Sequence, residues 1–344
     1  MNALPQRMLT PIAERTDCRA DALPLQALCD AGEPVVLRGL TRDWSLVQAG
    51  LHGAHAAMAL LRAHATPQVL AYSYGGPEIC GRPFYNADFT ALNFQVRHED
   101  LHGLLEAIAT HLDAAQPPAY YLASLPMDAH LPGLCASNAV DFAAHGIVAQ
   151  PNIWIGNRIT ASCHYDVPHN LACCAVGRRR FTVFPPEQIE NLYPGPLELN
   201  PGGQAISVVD FAAPDFVRYP RFREALTHAR SAVLEPGDAL FLPALWWHHV
   251  QALASFNVLV NYWWSQAPAQ LPAPMPALQH ALWALRDRPP TEKAAWRALF
   301  DYYVFGAAER AGAHLPAQAR QVLGPIDEVQ GRQLRAMLLS RLNR

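Results

Sequence analysis

The sequence predicts a mainly β protein, a barrel or sandwich of short strands followed by helices, and two observations support this fold class. Between residues 119 and 264, brief apolar runs alternate with turns rich in proline, glycine and asparagine. Several short strands at close spacing are typical of sandwiches and small barrels. After residue 272 the strand pattern stops and amphipathic helical segments begin. The 344 residues suffice for one large domain or two ordinary ones.

The individual elements can be read from the same patterns. The short run PVVLRG at residues 34–39 is β-rich and closes in a glycine turn, and EDLHGLLEAIATHLD has the periodicity of a helix. The predicted strands of the barrel are AYYLASL, NIWIG, NLACCAV, RRFTVF, SAVLEPGDALFLP, HHVQAL and NVLVNYWW. The predicted helices after it are PALQHALWALRD, TEKAAWRALFDYYVFGAAERAG and IDEVQGRQLRAMLLSRLNR. We therefore divide the chain into N-terminal α/β elements (1–118), a β-rich core (119–265) and a C-terminal helical region (272–344).

Composition argues against several classes of protein. The net charge of −3 gives no sign of a surface that binds polyanions, so no nucleic-acid partner is expected. No apolar stretch approaches the roughly 18 residues of a membrane-spanning helix, and the first residues lack the apolar core of a signal peptide. Seven cysteines without a CxxC pair fit reduced thiols. We expect a cytoplasmic protein that does not associate with membranes.

One tempting motif is HEDLH at residues 98–102, which has the letters of a zinc-protease helix. That chemistry needs both histidines on one face of a buried helix. Here Glu99 and Asp100 resemble acids of a first helical turn, so His98 is expected to precede the helix. His102 lies off the leucine face. We therefore do not expect this motif to bind a catalytic metal.

A second candidate is GNRITASCHYDVPHN at residues 156–170. In a strand, residues two apart share a face, so Thr160, Ser162, His164 and Asp166 would point the same way. An imidazole and a carboxylate would then converge on one spot. The ordinary alternative is a strand end at which Asp166 bonds the turn before Pro168.

A third candidate is EPGDALFLPALWWHHV at residues 235–250, which presents His248 and His249 after two tryptophans. By itself it could be an aromatic strand with one buried histidine. Together with His164 and Asp166, however, it supplies two imidazoles and one carboxylate. This set matches the facial triad of non-haem Fe(II) oxygenases, which leaves coordination positions open.

The stretch VGRRRFTVFPP at residues 176–186 places a charge among apolar residues. If it is a strand, Arg179, Phe181 and Val183 share one face, and the apolar pair suggests that this face is interior. A buried guanidinium is costly unless an anion pairs with it. A ligand carboxylate would serve, because arginine binds carboxylates bidentately, and an internal salt bridge is the alternative. On the preceding strand, Asn170, Ala172 and Cys174 share a face whose small side chains leave room for a ligand.

These motifs together resemble one enzyme family. The run HYDVPHNLACCAVGRRRFTVFPP is similar to the cupin-like branch of the JmjC-type 2-oxoglutarate oxygenases, with a spacing similar to that of its asparaginyl hydroxylases. LYPGP, PGDALFLPALWWHHV and VNYWW continue the family's order, and PVVLRGLTRDW resembles its N-terminal element. The resemblance covers most of residues 33–265. It implies a double-stranded β-helix (cupin or jelly-roll fold) with flanking helices, so that residues 119–265 would be the catalytic core.

The resemblance also implies a set of site residues. Fe(II) would be held by His164, Asp166 and His248, with His249 as an outward neighbour. The positions that match the family's cosubstrate-binding groups are Tyr121, Asn170, Arg179, Asn261 and Trp263.

Two positions depart from the family pattern. Arg179 stands where the hydroxylases usually carry lysine, and Ala161 stands where a threonine hydroxyl is common. Arginine can still bind the distal carboxylate of 2-oxoglutarate, and Ser162 or Thr160 could supply the missing hydroxyl.

The function implied by the resemblance is Fe(II)- and 2-oxoglutarate-dependent hydroxylation of a protein or peptide side chain, or of a small metabolite. Two alternatives remain open at this point, a non-catalytic cupin-like protein that binds a ligand or partner, and a Zn²⁺-dependent hydrolase or isomerase. The apolar faces of residues 272–344 exceed what an appendage needs, and the family dimerises through C-terminal helices. The resemblance therefore implies a homodimer, and the alternative is a monomer in which these helices pack back onto the barrel.

Overall fold

The computed structural model describes residues 9–343. It separates into a first unit that extends to Ser265 and a second that begins at Gln266. The absence of a signal peptide was predicted from the first residues of the sequence, and residues 1–8 lie outside the described part of the chain. Between residues 9 and 343, no helix combines the length and the apolar character needed to cross a membrane. The predicted fold class, a mainly β core with flanking and C-terminal helices, is confirmed. The further boundary at residue 118 stays a prediction.

The strands of the first unit lie in two sheets, in which most neighbours are antiparallel. One has the order β1-β11-β10-β13-β8 and the other the order β2-β3-β12-β9-β14-β7-β6-β4-β5. The strands are β1 (Thr10–Pro11), β2 (Ala13–Arg15), β3 (Val35–Leu37), β4 (Val69–Gly75), β5 (Gln95–Asp100), β6 (Ala119–Pro126), β7 (Pro151–Gly156), β8 (Thr160–Tyr165), β9 (His169–Val176), β10 (Arg179–Phe184), β11 (Arg230–Leu234), β12 (Ala239–Leu242), β13 (Trp247–Ala252) and β14 (Asn257–Trp264).

In the first unit, helices lie between the strands along the sequence, and the second unit is helical. Those of the first unit are α1 (Leu25–Ala31), α2 (Ser45–Leu51), α3 (Ala54–His64), α4 (Leu101–Ala109), α5 (Met127–His130), α6 (Pro132–Cys135) and α7 (Phe222–Thr227). Those of the second unit are α8 (Met275–Leu285), α9 (Pro290–Tyr303) and α10 (Glu328–Leu342). The second predicted C-terminal helix is shorter than expected, because α9 ends at Tyr303 and a loop with Gly306 follows.

Alternating side chains distribute the core over three layers. On β9, Leu171, Cys173 and Ala175 pack with the helices on the outer face of the larger sheet. Ala172 and Cys174 point the other way, into an apolar layer that also contains Phe181 and Val183 of the smaller sheet. This layer lies between the inner faces of the two sheets. A third cluster covers the outer face of the smaller sheet. The period of two along each strand therefore fixes which residues can reach the space between the sheets.

Two local expectations need correction. Strands β4 and β5 were not predicted. Strand β5 is exposed along almost its whole length and shows no apolar alternation. Glu99 lies in β5 and not in a helical turn, whereas Asp100 caps α4 by accepting a hydrogen bond from the Gly103 N–H at 2.8 Å. His98 does precede the helix, as expected. It and His102 are both exposed, so HEDLH is not a buried pair of histidines on one helix.

Candidate active site

Three potential metal ligands converge at one end of the space between the sheets. Strand β13 pairs with β8 so that His248 lies opposite His164, and Asp166 follows directly after β8 ends at Tyr165. One ligand atom from each of these three side chains lies within 4.8 Å of the other two. The structure thus brings together the imidazoles and the carboxylate that the sequence singled out.

Backbone carbonyls fix the orientation of both imidazoles. The Nδ1 of His164 is 2.8 Å from the carbonyl of Ser162, and the Nδ1 of His248 is 3.1 Å from the carbonyl of Trp246. A carbonyl only accepts, so each ring must carry its hydrogen on Nδ1. That tautomer leaves Nε2 with a free lone pair. This is the arrangement of metal-ligating histidines, whose second nitrogen donates to a fixed acceptor.

The carboxylate of Asp166 is also held. Its Oδ2 accepts hydrogen bonds from the amide of Asn170 at 2.8 Å and from the indole of Trp263 at 3.1 Å. The same oxygen lies 3.7 Å from Nε2 of His248. Two donors from two strands restrict rotation of the carboxylate, so its position relative to the imidazoles is fixed before any ion binds.

Burial and neighbouring groups set the charge states that a metal site needs. Burial lowers the pKa of His248 to about 4, His164 acts in the same direction, and Asp166 opposes them. Burial by itself would raise the pKa of the Asp166 carboxyl, but the two histidines and the bonds from Trp263 and Asn170 outweigh it and lower that pKa. At neutral pH the site therefore offers a neutral imidazole at His248 and a carboxylate, the forms in which these groups bind metals.

A β-bulge changes which residues of β8 face the site. The register with β13 shifts between His248 and Val250, so two residues of β8 lie where one is expected. Ala161, and not Ser162, shares the cavity face with His164. The hydroxyl of Ser162 instead accepts a hydrogen bond from Arg82 at 3.1 Å. The predicted common face for Ser162 and His164 is therefore wrong, because the extra residue reverses the alternation.

His249 lies on the opposite face of β13 from the metal ligands. It is buried, pairs in register with Thr182 and stacks on Phe211 with ring centroids 4.5 Å apart. Burial lowers its pKa to about 3. It is thus a neutral packing residue that faces away from the site, although it is not exposed to solvent.

A cavity of about 60 Å³ connects the ligands with Arg179. Tyr121, Asn170, Arg179 and Trp263 all line it, as does Ala161. The side chain of Asn261 is buried beside it but is absent from the lining. Most of the residues that were expected to bind the cosubstrate therefore surround one space.

Within the described part of the chain, Arg179 is a buried cation without a counter-ion. It is 5% exposed, and its Nε has no hydrogen-bond partner within residues 9–343. Over the same residues, no carboxylate forms an ion pair with it. Burial lowers its pKa, yet arginine keeps its charge in proteins. Among residues 9–343, the internal salt bridge that was the alternative for Arg179 is therefore not formed.

Tyr121 gives the same end of the cavity a neutral donor. Burial raises the pKa of its phenol to about 12, an effect that the nearby Arg179 partly offsets. At neutral pH the phenol therefore keeps its proton and can donate a hydrogen bond. A guanidinium and a phenol that line one cavity, near enough for Arg179 to influence the pKa of Tyr121, form a suitable pair for a carboxylate.

The polar groups of Asn170, Asn261 and Trp263 bond to protein groups in the structure, and their role in binding the cosubstrate stays a prediction. Asn170 and Trp263 both donate to Asp166, so they hold a candidate metal ligand. Asn261 donates to the Oδ1 of Asn170 at 3.2 Å and accepts from the indole of Trp154 at 2.7 Å. Asn261 thus supports Asn170, and its direct contact with the cosubstrate stays a prediction.

Two residues near the site were missed by sequence reasoning. Trp154 lines the cavity, and its alternation with Ile153 and Ile155 in NIWIG was a signal that its side chain points inwards. Arg82 binds the hydroxyl of Ser162 and the carbonyl of Val209. It lies in a loop that the sequence pattern does not connect with β8.

Comparison with known proteins places this site in a family. A model of the cupin-like domain matches residues 22–270. The chain is 35% identical over 116 residues to Lysine-specific demethylase JMJ31 of Arabidopsis thaliana, which is 33% of this chain and 20% of the relative. It is 38% identical over 107 residues to tRNA wybutosine-synthesizing protein 5 of Danio rerio (31% of this chain, 30% of the relative). A longer match joins it to Jumonji C domain-containing protein 5 of Drosophila melanogaster, with 29% identity over 275 residues.

That last match covers 77% of this chain and 64% of the Drosophila protein, so the chain spans less than two thirds of the length of each of these three relatives. The family match covers more than half of the chain and includes all the residues that build the site. The chain therefore belongs to the cupin-like domain family.

Proposed function

We propose that the protein is an Fe(II)- and 2-oxoglutarate-dependent oxygenase that hydroxylates a protein side chain or a small metabolite. The observation that carries the proposal is the buried guanidinium of Arg179, which pairs with no carboxylate among residues 9–343 and lines the same cavity as His164, Asp166 and His248. A metal site by itself fits several reactions. A metal site that shares a small cavity with an uncompensated cation fits a cosubstrate that bears a distal carboxylate.

The donor set fits Fe(II). Two imidazoles whose Nδ1 atoms bond backbone carbonyls, together with one carboxylate, form the 2-His-1-carboxylate triad of non-haem iron oxygenases. Each side chain is held by a second contact, as functional metal ligands usually are. His164, Asp166 and His248 would therefore hold the iron, and His249 would not take part.

Arg179 and Tyr121 would hold the distal carboxylate of 2-oxoglutarate. Pairing Arg179 with a carboxylate would remove the cost of a lone buried charge, because an anion in a low-dielectric site interacts strongly with it. The protonated phenol of Tyr121 would add a neutral hydrogen bond. Ala161 leaves space where a hydroxyl is common in the family, and a guanidinium is longer and broader than the usual lysine, so arginine is compatible with this wall.

When bound, Fe(II) would activate O₂ and couple conversion of 2-oxoglutarate to succinate and CO₂ with insertion of the second oxygen atom into a substrate C–H bond. The protein's own contribution is to orient and shield. The Nδ1–H donors keep both imidazoles in position, and Asn170 and Trp263 keep the carboxylate of Asp166 in position. The apolar walls formed by Phe181, Val250 and Leu259 restrict water in the cavity.

The substrate class is the less specific part of the proposal. The relatives' names refer to a lysine-specific demethylase and to a tRNA wybutosine-synthesizing protein, so membership of the family allows more than one kind of substrate. The low net charge of this chain favours a protein side chain or small metabolite over a polyanion. A screen of peptides and metabolites for a mass gain of one oxygen atom, with tRNA as a further candidate, would identify the substrate.

Turnover of the cosubstrate tests the proposal. Purified protein with Fe(II), 2-oxoglutarate and O₂ should form succinate, and Asp166→Ala should form none. The control is His249→Ala, which should retain turnover because His249 stacks on Phe211 on the other face of β13. Binding of 2-oxoglutarate without succinate formation would instead favour a ligand-binding protein. Zn²⁺-dependent hydrolysis or isomerisation without use of O₂ would favour the remaining alternative.

We further propose that the protein forms a homodimer through its C-terminal helices. Large apolar side chains of this unit are exposed, with Trp283 at 79% and Phe305 at 75% exposure. On α10, Val329, Leu338 and Leu339 are each at least half exposed. Burial of such residues against a second copy would stabilise the pair by roughly 25 cal/mol per Å². Light scattering at micromolar concentration should give twice the mass of one chain, and a monomer would contradict the proposal.

A further inference from the structure

A chain of hydrogen bonds crosses three neighbouring strands and ends on a candidate metal ligand. It runs from the indole of Trp154 on β7 to Asn261 on β14, then to Asn170 on β9, and finally to Asp166. The three bonds measure 2.7, 3.2 and 2.8 Å. Trp154 faces Leu259 in register, and Asn261 lies two residues further along β14, so the first bond joins a diagonal pair.

The direction of every bond in this chain is determined by its two ends. An indole N–H can only donate and a carboxylate can only accept. The atom of Asn261 that faces Trp154 must therefore be its carbonyl oxygen, and its amide nitrogen must face Asn170. In turn, the carbonyl oxygen of Asn170 faces Asn261, and its amide nitrogen faces Asp166. Reversal of either amide would place two acceptors or two donors against each other.

From this geometry we infer that Trp154 is a positioning residue, which acts through Asn261 and Asn170 to hold the carboxylate of Asp166 for metal binding. The inference rests on the proposed function, because it assumes that Asp166 is a metal ligand. Without the indole donor, the oxygen of Asn261 would be left buried without a partner, which is costly. Asn261 is 1% exposed, so solvent cannot readily replace the lost bond.

The ring of Trp154 has a separate packing role that the test must keep constant. It lies edge-on to Trp263 with centroids 5.7 Å apart and 6.0 Å from the ring of Tyr121. Phenylalanine would keep an aromatic ring at this position and remove the donor, together with the packing of the second indole ring, for which a control is needed. The informative change is therefore Trp154→Phe. Its control is Trp44→Phe, the same change at a buried tryptophan of the outer core that does not line the cavity.

The test is the affinity for Fe(II), measured by anaerobic calorimetric titration of the full chain. Loss of a group that bonds directly to a metal ligand typically lowers affinity by 10- to 100-fold. Trp154 is two hydrogen bonds further away from the ligand. We therefore expect Trp154→Phe to have a smaller effect and to lower Fe(II) affinity by about threefold to tenfold. Trp44→Phe should leave the affinity unchanged.

A double-mutant cycle with Asn261→Leu separates positioning from general damage. Leucine is similar in size to asparagine and removes the amide, so it interrupts the same chain without removing Trp154. If Trp154 acts through Asn261, Trp154→Phe should cause no additional loss in the Asn261→Leu background. Should Trp154→Phe fail to fold, Asn261→Leu alone must still lower Fe(II) affinity.

The possible failures are distinguishable. Fe(II) binding that Trp154→Phe leaves unchanged, or an equal loss in Trp44→Phe, would overturn the inference alone. Additive losses in the double variant would also overturn it, because the two residues would then act independently. A wild-type protein that does not bind Fe(II) would overturn the proposed function together with the inference.

Discussion

The two ends of the cavity differ in how completely the protein satisfies its own polar groups. At the metal end, the Nδ1 atoms of His164 and His248 and the Oδ2 of Asp166 all have partners within the chain. At the opposite end, the guanidinium of Arg179 is buried with no anionic partner among residues 9–343. The first end is organised in advance for an ion that needs fixed ligands. The second has an excess charge that a small anion would neutralise, and this difference indicates where a cosubstrate belongs.

The largest expected effect is at the metal end, where two adjacent histidines offer a matched pair. His248→Ala removes a proposed ligand and should lower Fe(II) affinity by more than about 100-fold, beyond the range for outer-shell partners. His249→Ala should leave that affinity unchanged, since its ring stacks on Phe211. Anaerobic titration of Fe(II) into both variants measures this. Loss of Fe(II) binding in His249→Ala but not in His248→Ala would show that His249 is the ligand.

The hydrogen bonds that hold the Asp166 carboxylate can be tested without removal of the carboxylate itself. Asn170→Leu removes one of the two donors to Oδ2 and should lower Fe(II) affinity by about 10- to 100-fold, as for other partners of metal ligands. Asn152→Leu is the control, because that amide bonds the carbonyl of Gln150 at the start of β7. Equal affinities in the two variants would mean that the metal end is less dependent on such contacts than the structure indicates.

An effect of similar size is expected from the neutral donor at the arginine end. Tyr121→Phe removes a hydrogen bond to the proposed carboxylate, and a bond to a charged group contributes roughly 1.5–3 kcal/mol. Affinity for 2-oxoglutarate should therefore fall by about tenfold or more, while Fe(II) binding persists. Tyr120→Phe is the control, since Tyr120 packs in the outer core beside Tyr74. A similar change in both variants would argue against a direct role for Tyr121.

The parts of the fold that follow from local pattern were predictable from sequence. NIWIG, NLACCAV and RRFTVF became β7, β9 and β10 within a residue or two, because buried strands bounded by turns leave a clear signal. The inward direction of Arg179 followed from Phe181 and Val183 on the same face, and the structure places these three residues as expected.

The features that depend on pairing between strands were not predictable in this way. The bulge opposite His249 arises from the register of β8 against β13, and neither strand shows it alone. It moved Ser162 away from the site and Ala161 into it. The bond between Trp154 and Asn261 likewise joins residues 107 positions apart. Only the sheet order brings them together.

The measurement that tests the account most directly is the titration of 2-oxoglutarate into metal-loaded protein under anaerobic conditions. The wild type should bind, and Arg179→Ala should weaken binding by on the order of 2–5 kcal/mol, the usual cost of breaking a buried charge pair. Arg179→Lys should recover part of the loss, because lysine keeps the charge but not the bidentate contact. Fe(II) affinity should be the same in all three proteins. Unchanged 2-oxoglutarate affinity in Arg179→Ala, or no binding by the wild type, would contradict the assignment of this end of the cavity to the cosubstrate.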